Sequence, residues 1–535
     1  MPRLDDYKTA GLGEMRQVKI LIGEPIAQEA VAQMQSGGAQ VDSLAQLGGG
    51  SPEEIIGQYE GLVVGQMLQV DEALLARAEK LAVIGKIGKD TSNIDLAAAT
   101  RAGVAVVNTS QGVSASLAEY NILAMLTLAR LETGNGQLGR ELKGKTLGII
   151  GLGNVGAQVA KRAKAFDMRV ICYDPSVSRA RAMVCEVELM DLVDLLVLSD
   201  FITIHVPLND ETRGLINHDN LSLMRQGAYL VNTAEPEVCD LDAVVQALAS
   251  GRLGGVAMDF PSGHESARQK LAASPRAIVT ENQAAATAEA RVGTAQEVVA
   301  EMLTYCQTLY SKNAINIPLL KESQRQAMQG FRRLALTLGD FTGQLVKGPL
   351  EAICMTYRGD IAAYDEAPLT QWALMALLGH VTADKINYVN ALAWAKEQGI
   401  SVTVQQDEAC SDYQSVMSIE VTDGGETKLI AGQVRSGGEI RLIQMDDFTM
   451  DTQPEPHFLL IPHENKPGMI GKVGMVLGHY DVNISAMVVG RQQAKDHQAA
   501  MMVMTIAQPV TDEVLKALEA TEGVHTVQSI DLKLR

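Results

Sequence analysis

Thr146-Leu147-Gly148-Ile149-Ile150-Gly151-Leu152-Gly153-Asn154-Val155-Gly156 decides how the rest of the chain is read. Residues 146–150 form a short apolar run of the kind a buried parallel strand shows. Gly151, Gly153 and Gly156 then supply a G-x-G-x-x-G turn that opens a helix. The first glycine allows the tight turn, the second lets the backbone approach a pyrophosphate, and the third allows close helix–strand packing. The helix N-terminus adds unpaired N–H groups that suit phosphate. Downstream, residues 158–165 read as helix and 169–173 as a second strand that ends in Asp174. An acidic side chain about 20 residues past the glycines holds a ribose hydroxyl pair and repels a 2′-phosphate. The predicted ligand is therefore NAD, held by Gly151, Gly153, Asn154, Val155, Gly156 and Asp174.

At 535 residues, 47% hydrophobic and 20% charged, the chain has the composition of an ordinary globular protein of three or four domains. Its net charge of -19 argues against a nucleic-acid surface, which needs clustered Lys and Arg. No apolar run reaches the roughly 18 residues of a membrane span, and the N-terminus has no apolar signal core, so a cytoplasmic location is expected. Cys172, Cys185, Cys239, Cys306, Cys354 and Cys410 are widely spaced, which predicts reduced thiols rather than a disulfide framework or metal ligands.

Around the glycine turn, strand patterns alternate with helical ones. Strands are predicted at residues 18–23, 61–64, 81–84 and 104–107, then a long helix at 114–131, then further strands at 200–205, 228–232, 255–259 and 277–280. The fold class is α/β, with a Rossmann-type doubly wound parallel sheet domain and a second α/β domain before it.

Residues 98–108 (AATRAGVAVVN), 144–156, 200–208 (DFITIHVPL) and 313–318 (NAINIP) resemble the D-2-hydroxyacid dehydrogenases, in particular the long-form branch that acts on 3-phosphoglycerate. The similarity covers nearly the whole chain. It implies a discontinuous substrate domain at 1–107 with 287–316 and an NAD-binding domain at 108–286. An α+β allosteric-substrate-binding domain at 317–454 and an ACT domain at 455–535 would follow. It also implies that the active site lies in the cleft between the first two domains. Pro207, Thr233, Ala234 and Asp259 join the expected cofactor contacts, with His205 packed beside the cofactor.

The resemblance implies a histidine that takes the hydroxyl proton, a glutamate that orients it, and an arginine that holds the substrate carboxylate. A base near neutral pH and a forked cation suit those tasks. The arginine position reads Glu235 in Asn232-Thr233-Ala234-Glu235-Pro236-Glu237, and the histidine position reads Asn282 in residues 280–287 (TENQAAAT). For the glutamate, residues 259–265 (DFPSGHE) offer either His264 or Glu265. Two like charges 4 Å apart at an effective dielectric of 20 repel by roughly 4 kcal/mol. That is about three powers of ten in affinity for an anionic substrate. Asn282 does not titrate near neutrality and cannot be a general base. The family's phosphate-facing Arg-Ser pair is Gly65-Gln66 here, and the loop 85–93 (GKIGKDTSN) keeps only Lys86 and Lys89 as cations. A W-x-R segment that the family carries near the cleft is missing between Arg130 and Gly144.

At the C-terminal end, a strand at residues 457–461, a helix at 469–480 and a strand opening at Ile484 resemble serine-binding ACT domains. His463, Asn465, Gly468 and Asn483 stand at the positions that implies for the effector. Arg358, Lys428, Arg435 and Arg441 form a candidate anion site, and residues 405–413 read as an exposed loop. The resemblance further implies a homo-oligomer, a tetramer or dimer, with no nucleic acid, membrane or metal partner. Two functions follow: an NAD-dependent dehydrogenase, active on 3-phosphoglycerate or on another hydroxy compound, or a catalytically silent NAD- and serine-binding homologue.

Overall fold

The computed structural model describes residues 18–47, 51–88, 90–109, 111–130, 138–319, 324, 327–408, 413–435, 437–491 and 499–533. Strands β1 (Lys19–Ile22), β2 (Gln40–Ser43), β3 (Gly61–Val64), β4 (Val83–Lys86) and β5 (Ala105–Asn108) form a parallel sheet in the order β2-β1-β3-β4-β5. The helix Ala288–Thr308 returns to cover it. Gly61 and Gly85 lack the side chains that would strike Met302 on that helix, which lets helix and sheet approach closely. Asn316 then ties the returning chain to β5: its Oδ1 accepts from Val106 N at 2.8 Å and its Nδ2 donates to Val104 O at 2.9 Å. Segments 210 residues apart thus share one core.

The second sheet holds β6 (Thr146–Ile150), β7 (Arg169–Tyr173), β8 (Glu188–Leu189), β9 (Phe201–Ile204), β10 (Ala228–Asn232), β11 (Leu253–Phe260) and β12 (Ala277–Glu281). All are parallel, in the order β12-β11-β10-β9-β6-β7-β8, so the strand order reverses between β6 and β9. The helix after the glycine turn begins at Asn154 and ends at Ala165, one turn earlier than its apolar pattern suggests. The long helix runs Ser114–Arg130; Leu131, predicted as its last residue, lies outside the described residues.

A third sheet, β13 (Leu350–Gly359), β14 (Ser401–Asp407), β15 (Ser415–Asp423), β16 (Glu426–Val434), β17 (Ile440–Met445) and β18 (Phe448–Thr452), runs β14-β13-β15-β16-β17-β18. Here the start of the expected loop at 405–413 is corrected, while residues 409–412 of it lie outside the described residues. Gln405, Gln406 and Asp407 belong to edge strand β14, paired in parallel with Thr356, Tyr357 and Arg358. Their polarity reflects a strand whose side chains are exposed on both faces, so the usual alternation is absent. The fourth sheet, order β20-β21-β19-β22, comprises β19 (His457–Glu464), β20 (Ile484–Arg491), β21 (Ala499–Ile506) and β22 (Gln528–Asp531), with the helix Met469–His479 packed on it.

The glycine turn works by two different constraints. A Cβ on Gly156 would lie 2.1 Å from the Gly151 carbonyl oxygen, a backbone atom that cannot yield, whereas a Cβ on Gly153 meets nothing within 4 Å. Gly156→Ala should therefore cost about 1–3 kcal/mol of stability, read as a lowered Tm. Gly153→Ala should leave Tm unchanged and weaken dinucleotide binding; equal Tm values for the two variants would contradict this division.

Candidate functional site

Because the second sheet is parallel, the ends of β6, β9, β10 and β11 open onto one edge, and its reversal between β6 and β9 leaves a crevice there. Gly151, at φ 96°, turns the chain into that crevice; a Cβ on it would lie 2.8 Å from the His205 carbonyl. Exposed Gly153 and Asn154 begin the helix, with Val155 half-buried and Gly156 buried behind them. Asp174 stands just past β7. Its Oδ2 accepts from Leu152 N at 2.8 Å and its Oδ1 from Ser176 N at 3.0 Å, so the carboxylate expected to face a ribose is fastened to the glycine turn. The open space at Gly153 and the placement of Asp174 fit a dinucleotide, with the pyrophosphate on the helix N-terminus.

The remaining expected contacts line the same edge. Thr233 and Ala234 follow β10. Asn121 of the long helix donates to Thr233 Oγ1 at 3.0 Å, and Asn232 Oδ1 accepts from Ala234 N at 2.9 Å. Asp259 on β11 braces the next loop by accepting from Thr280 Oγ1 at 2.6 Å and from Gln283 N and Ala284 N at 3.0 Å each. Pro207 is exposed, and its carbonyl accepts from Thr212 Oγ1 at 2.6 Å. His205 Nε2 is enclosed with no hydrogen-bond partner among the described residues; burial pushes its pKa down to about 3, so the imidazole is neutral.

Asn282 follows β12 with φ 50°, a left-handed conformation that Asn tolerates. Its Nδ2 donates to Ser262 Oγ at 3.0 Å. Glu235 opens the single helical turn Pro236–Val238. Of the two candidates for the glutamate position, Glu265 sits 3.9 Å from Arg268 on its own helix, while His264 Nε2 lies 3.2 Å from Glu237 Oε1. Arg268 also pairs with Glu281.

Sequence reasoning missed Glu237; its one signal was a carboxylate two residues beyond Glu235. His264 and Glu237 line a cavity of ≈ 240 Å³ together with Pro236, Cys239 and Asp240. The hydrogen bond to Glu237 outweighs burial and raises the His264 pKa. Burial alone would raise Glu237, but its hydrogen bonds, one of them from His264, hold it low. The two shifts oppose each other in sign, as expected of an imidazole and a carboxylate that stabilise one another's charged forms. Burial pushes the Cys239 thiol up to about 12, which removes it as a nucleophile.

Three family models match the chain: the D-isomer specific 2-hydroxyacid dehydrogenase NAD binding domain over residues 124–284, the D-3-phosphoglycerate dehydrogenase intervening domain over 327–446 and the ACT domain over 457–523. A D-3-phosphoglycerate dehydrogenase of Archaeoglobus fulgidus is 33% identical over 531 residues, 96% of this chain and 100% of that one. The chain belongs to the D-3-phosphoglycerate dehydrogenase branch of the D-2-hydroxyacid dehydrogenases. The Synechocystis relative of the same name is 32% identical, covering 96% of this chain and 95% of its own. A D-lactate dehydrogenase structure from Treponema pallidum, 23% identical with a TM-score of 0.50, covers 56% of this chain and 100% of that one, and shares its fold. The family's dinucleotide is NAD.

At the ACT end, His463 is buried, its Nδ1 donating to Ile461 O at 3.0 Å, and Gly468 caps the following helix at φ 91°. His463, Asn465 and Gly468 share one end of the helix Met469–His479, while Asn483 stands beyond the other end. Eleven residues at 1.5 Å each separate them by about 16 Å. One small ligand cannot span that within one chain. The proposed anion cluster is likewise divided. Lys428 pairs with Asp423 at 3.0 Å, Arg435 and Arg441 pair with Asp451 at 2.8 and 2.6 Å, and Arg441 also reaches Glu439 at 3.4 Å, so each of these three cations already has a carboxylate partner.

Two predictions follow from the cleft. Asp174→Ala should weaken NAD binding roughly tenfold, the loss of one charge-assisted hydrogen bond, while narrowing the preference over NADP; an unchanged isotherm would contradict its ribose role. The raised His264 contributes stability fully below its ordinary pKa of 6.5 and loses it as pH climbs through the raised value. Glu237, held low, contributes above 4.5 and loses it as pH falls. The Tm advantage of wild type over His264→Gln should peak between pH 4.5 and 6.5 and shrink above; a pH-independent difference would refute the pairing.

Proposed function

We propose that the chain is an NAD-binding, serine-sensing homologue that does not oxidise 3-phosphoglycerate to 3-phosphohydroxypyruvate. The relatives are named for that dehydrogenase activity, and the intact glycine turn and Asp174 support retention of the cofactor. What carries the reading is the group of three catalytic positions. The substrate-carboxylate position is a carboxylate, Glu235; the proton-acceptor position is an amide, Asn282; and the nearby imidazole of His264 is engaged by Glu237 at 3.2 Å. An amide at the acceptor position cannot take up the carbinol proton. Serine would bind where His463, Asn465 and Gly468 of one ACT domain meet Asn483 of a second copy, so a homo-oligomer is part of the reading.

A second reading is an NAD-dependent dehydrogenase of a neutral or cationic hydroxy compound. Glu235 favours it, since its carboxylate in the substrate's place suits an ammonium group. Calorimetry of the purified full chain with NAD, serine and 3-phosphoglycerate separates these possibilities. Binding of the first two without the third, and no NADH formed from a panel of 2-hydroxy compounds, is the expected result. Steady oxidation of 3-phosphoglycerate, abolished by His264→Ala, would overturn it.

A further inference from the structure

The first sheet carries a second reversal of strand order, between β1 and β3, and in open α/β sheets the crevice beyond such a reversal receives ligands. Glu24, two residues past β1, and the loop at residues 65–68, directly after β3, meet there. Glu24 Oε1 accepts from Gly65 N at 3.1 Å, Met67 N at 2.7 Å and Leu68 N at 2.8 Å, and its Oε2 accepts from Gln66 N at 3.1 Å. Successive N–H groups converging on one point form an anion-binding nest, and the chain's own carboxylate fills it.

The loop's acceptors are spent as well. The Gly65 carbonyl takes Lys86 Nζ and, at 3.1 Å, Asn93 Nδ2, which also donates to Leu68 O at 2.7 Å. Lys86 is fully buried, so its charge faces the loop rather than the crevice. A Cβ on Gly65 would lie 2.5 Å from Glu24 Oε2 and 3.1 Å from its Cδ, so no side chain fits at position 65 while Glu24 holds the loop.

We infer that Glu24 is a built-in anion that closes this crevice to the phosphate or carboxylate groups of a ligand. Together Glu24 and Gly65 determine specificity: whatever enters presents a neutral or cationic group to the 65–68 loop. The inference takes the interdomain cleft as the ligand site, as the reading above does, but it rests on different atoms and needs no turnover. A side chain at position 65 would require the Glu24 carboxylate to shift, since its end atoms are what a Cβ there would meet.

The test is thermal unfolding of the full chain in inorganic phosphate, against chloride at matched ionic strength. Glu24→Ala should lower Tm by stranding four N–H groups, and phosphate should recover part of that loss with saturation, while wild type responds equally to both salts. Should Glu24→Ala fail to fold, a cycle with position 65 gives the second readout. Gly65→Ala should lower Tm, and adding Glu24→Asp, whose shorter arm withdraws the carboxylate, should restore part of it. A folded Glu24→Ala indifferent to phosphate, a wild type stabilised by phosphate as much as the variant, or additive Tm losses in the cycle would each overturn the inference. Oxidation of an unphosphorylated hydroxy compound would sink the silent reading and leave this one standing.

Discussion

The close approach of Gly156 to the Gly151 carbonyl is the constraint on which the cofactor half of the molecule depends. With 2.1 Å between that oxygen and any added Cβ, helix and strand can lie this near only if position 156 is glycine. That nearness aims the helix N-terminus at the crevice between β6 and β9, and Asp174, bonded to Leu152 N, keeps the ribose carboxylate in register with the turn. Dinucleotide binding is thus written into backbone and into one carboxylate.

The catalytic edge shows exchanged side chains. Asn282 keeps the left-handed backbone at φ 50° that its loop requires, and Asp259 still braces that loop through Gln283 N and Ala284 N. The scaffold that would hold a histidine there is therefore intact, while the titratable group is gone. Around it the charges have been re-paired locally: His264 with Glu237, Arg268 with Glu281, and Lys86 turned inward onto Gly65. Among the described residues, His264, Arg268 and, in the first sheet, Lys86 are thus each directed at acceptors of the protein itself.

Reading the sequence alone recovered what depends on local backbone. The glycine turn, the inner strands of both parallel sheets and the helix–strand pattern at the ACT end all stood in apolar periodicity and glycine spacing, whereas the short, more polar edge strands β2 and β8 did not. Partnerships between side chains did not, because they are set by which loops the sheets bring together. Glu24 and Gly65 are 41 residues apart, Glu237 and His264 27, and neither pair leaves a periodic trace. Gln405 to Asp407 failed for another reason, since an edge strand exposed on both faces loses the alternation by which strands are recognised. The effector residues were identifiable singly, but their separation across a helix of eleven residues is a property of β–α–β geometry.

That separation bears on how an effector could reach the cleft. The ACT sheet does not hang from a free linker. Gln344, on the helix Met328–Leu345, both donates to Asp531 O and accepts from Asp531 N, at 3.1 and 2.9 Å. Asp340 accepts from Lys533 N at 2.7 Å, and Phe341 meets Phe458 edge-on at 5.7 Å. At the opposite side of the same intervening domain, Asn387 Nδ2 donates to Gly103 O at 2.8 Å, just beyond the helix Leu96–Arg101. That helix follows directly on the loop carrying Lys86 and Asn93, the two residues that hold the 65–68 loop. A displacement of β22 is therefore met by packed elements at every step to the substrate crevice. Mechanical continuity alone is no evidence of coupling. Whatever the path, an effector shifts the cleft only by binding one arrangement of the chain more tightly than another, so differential affinity is the currency in which regulation would operate.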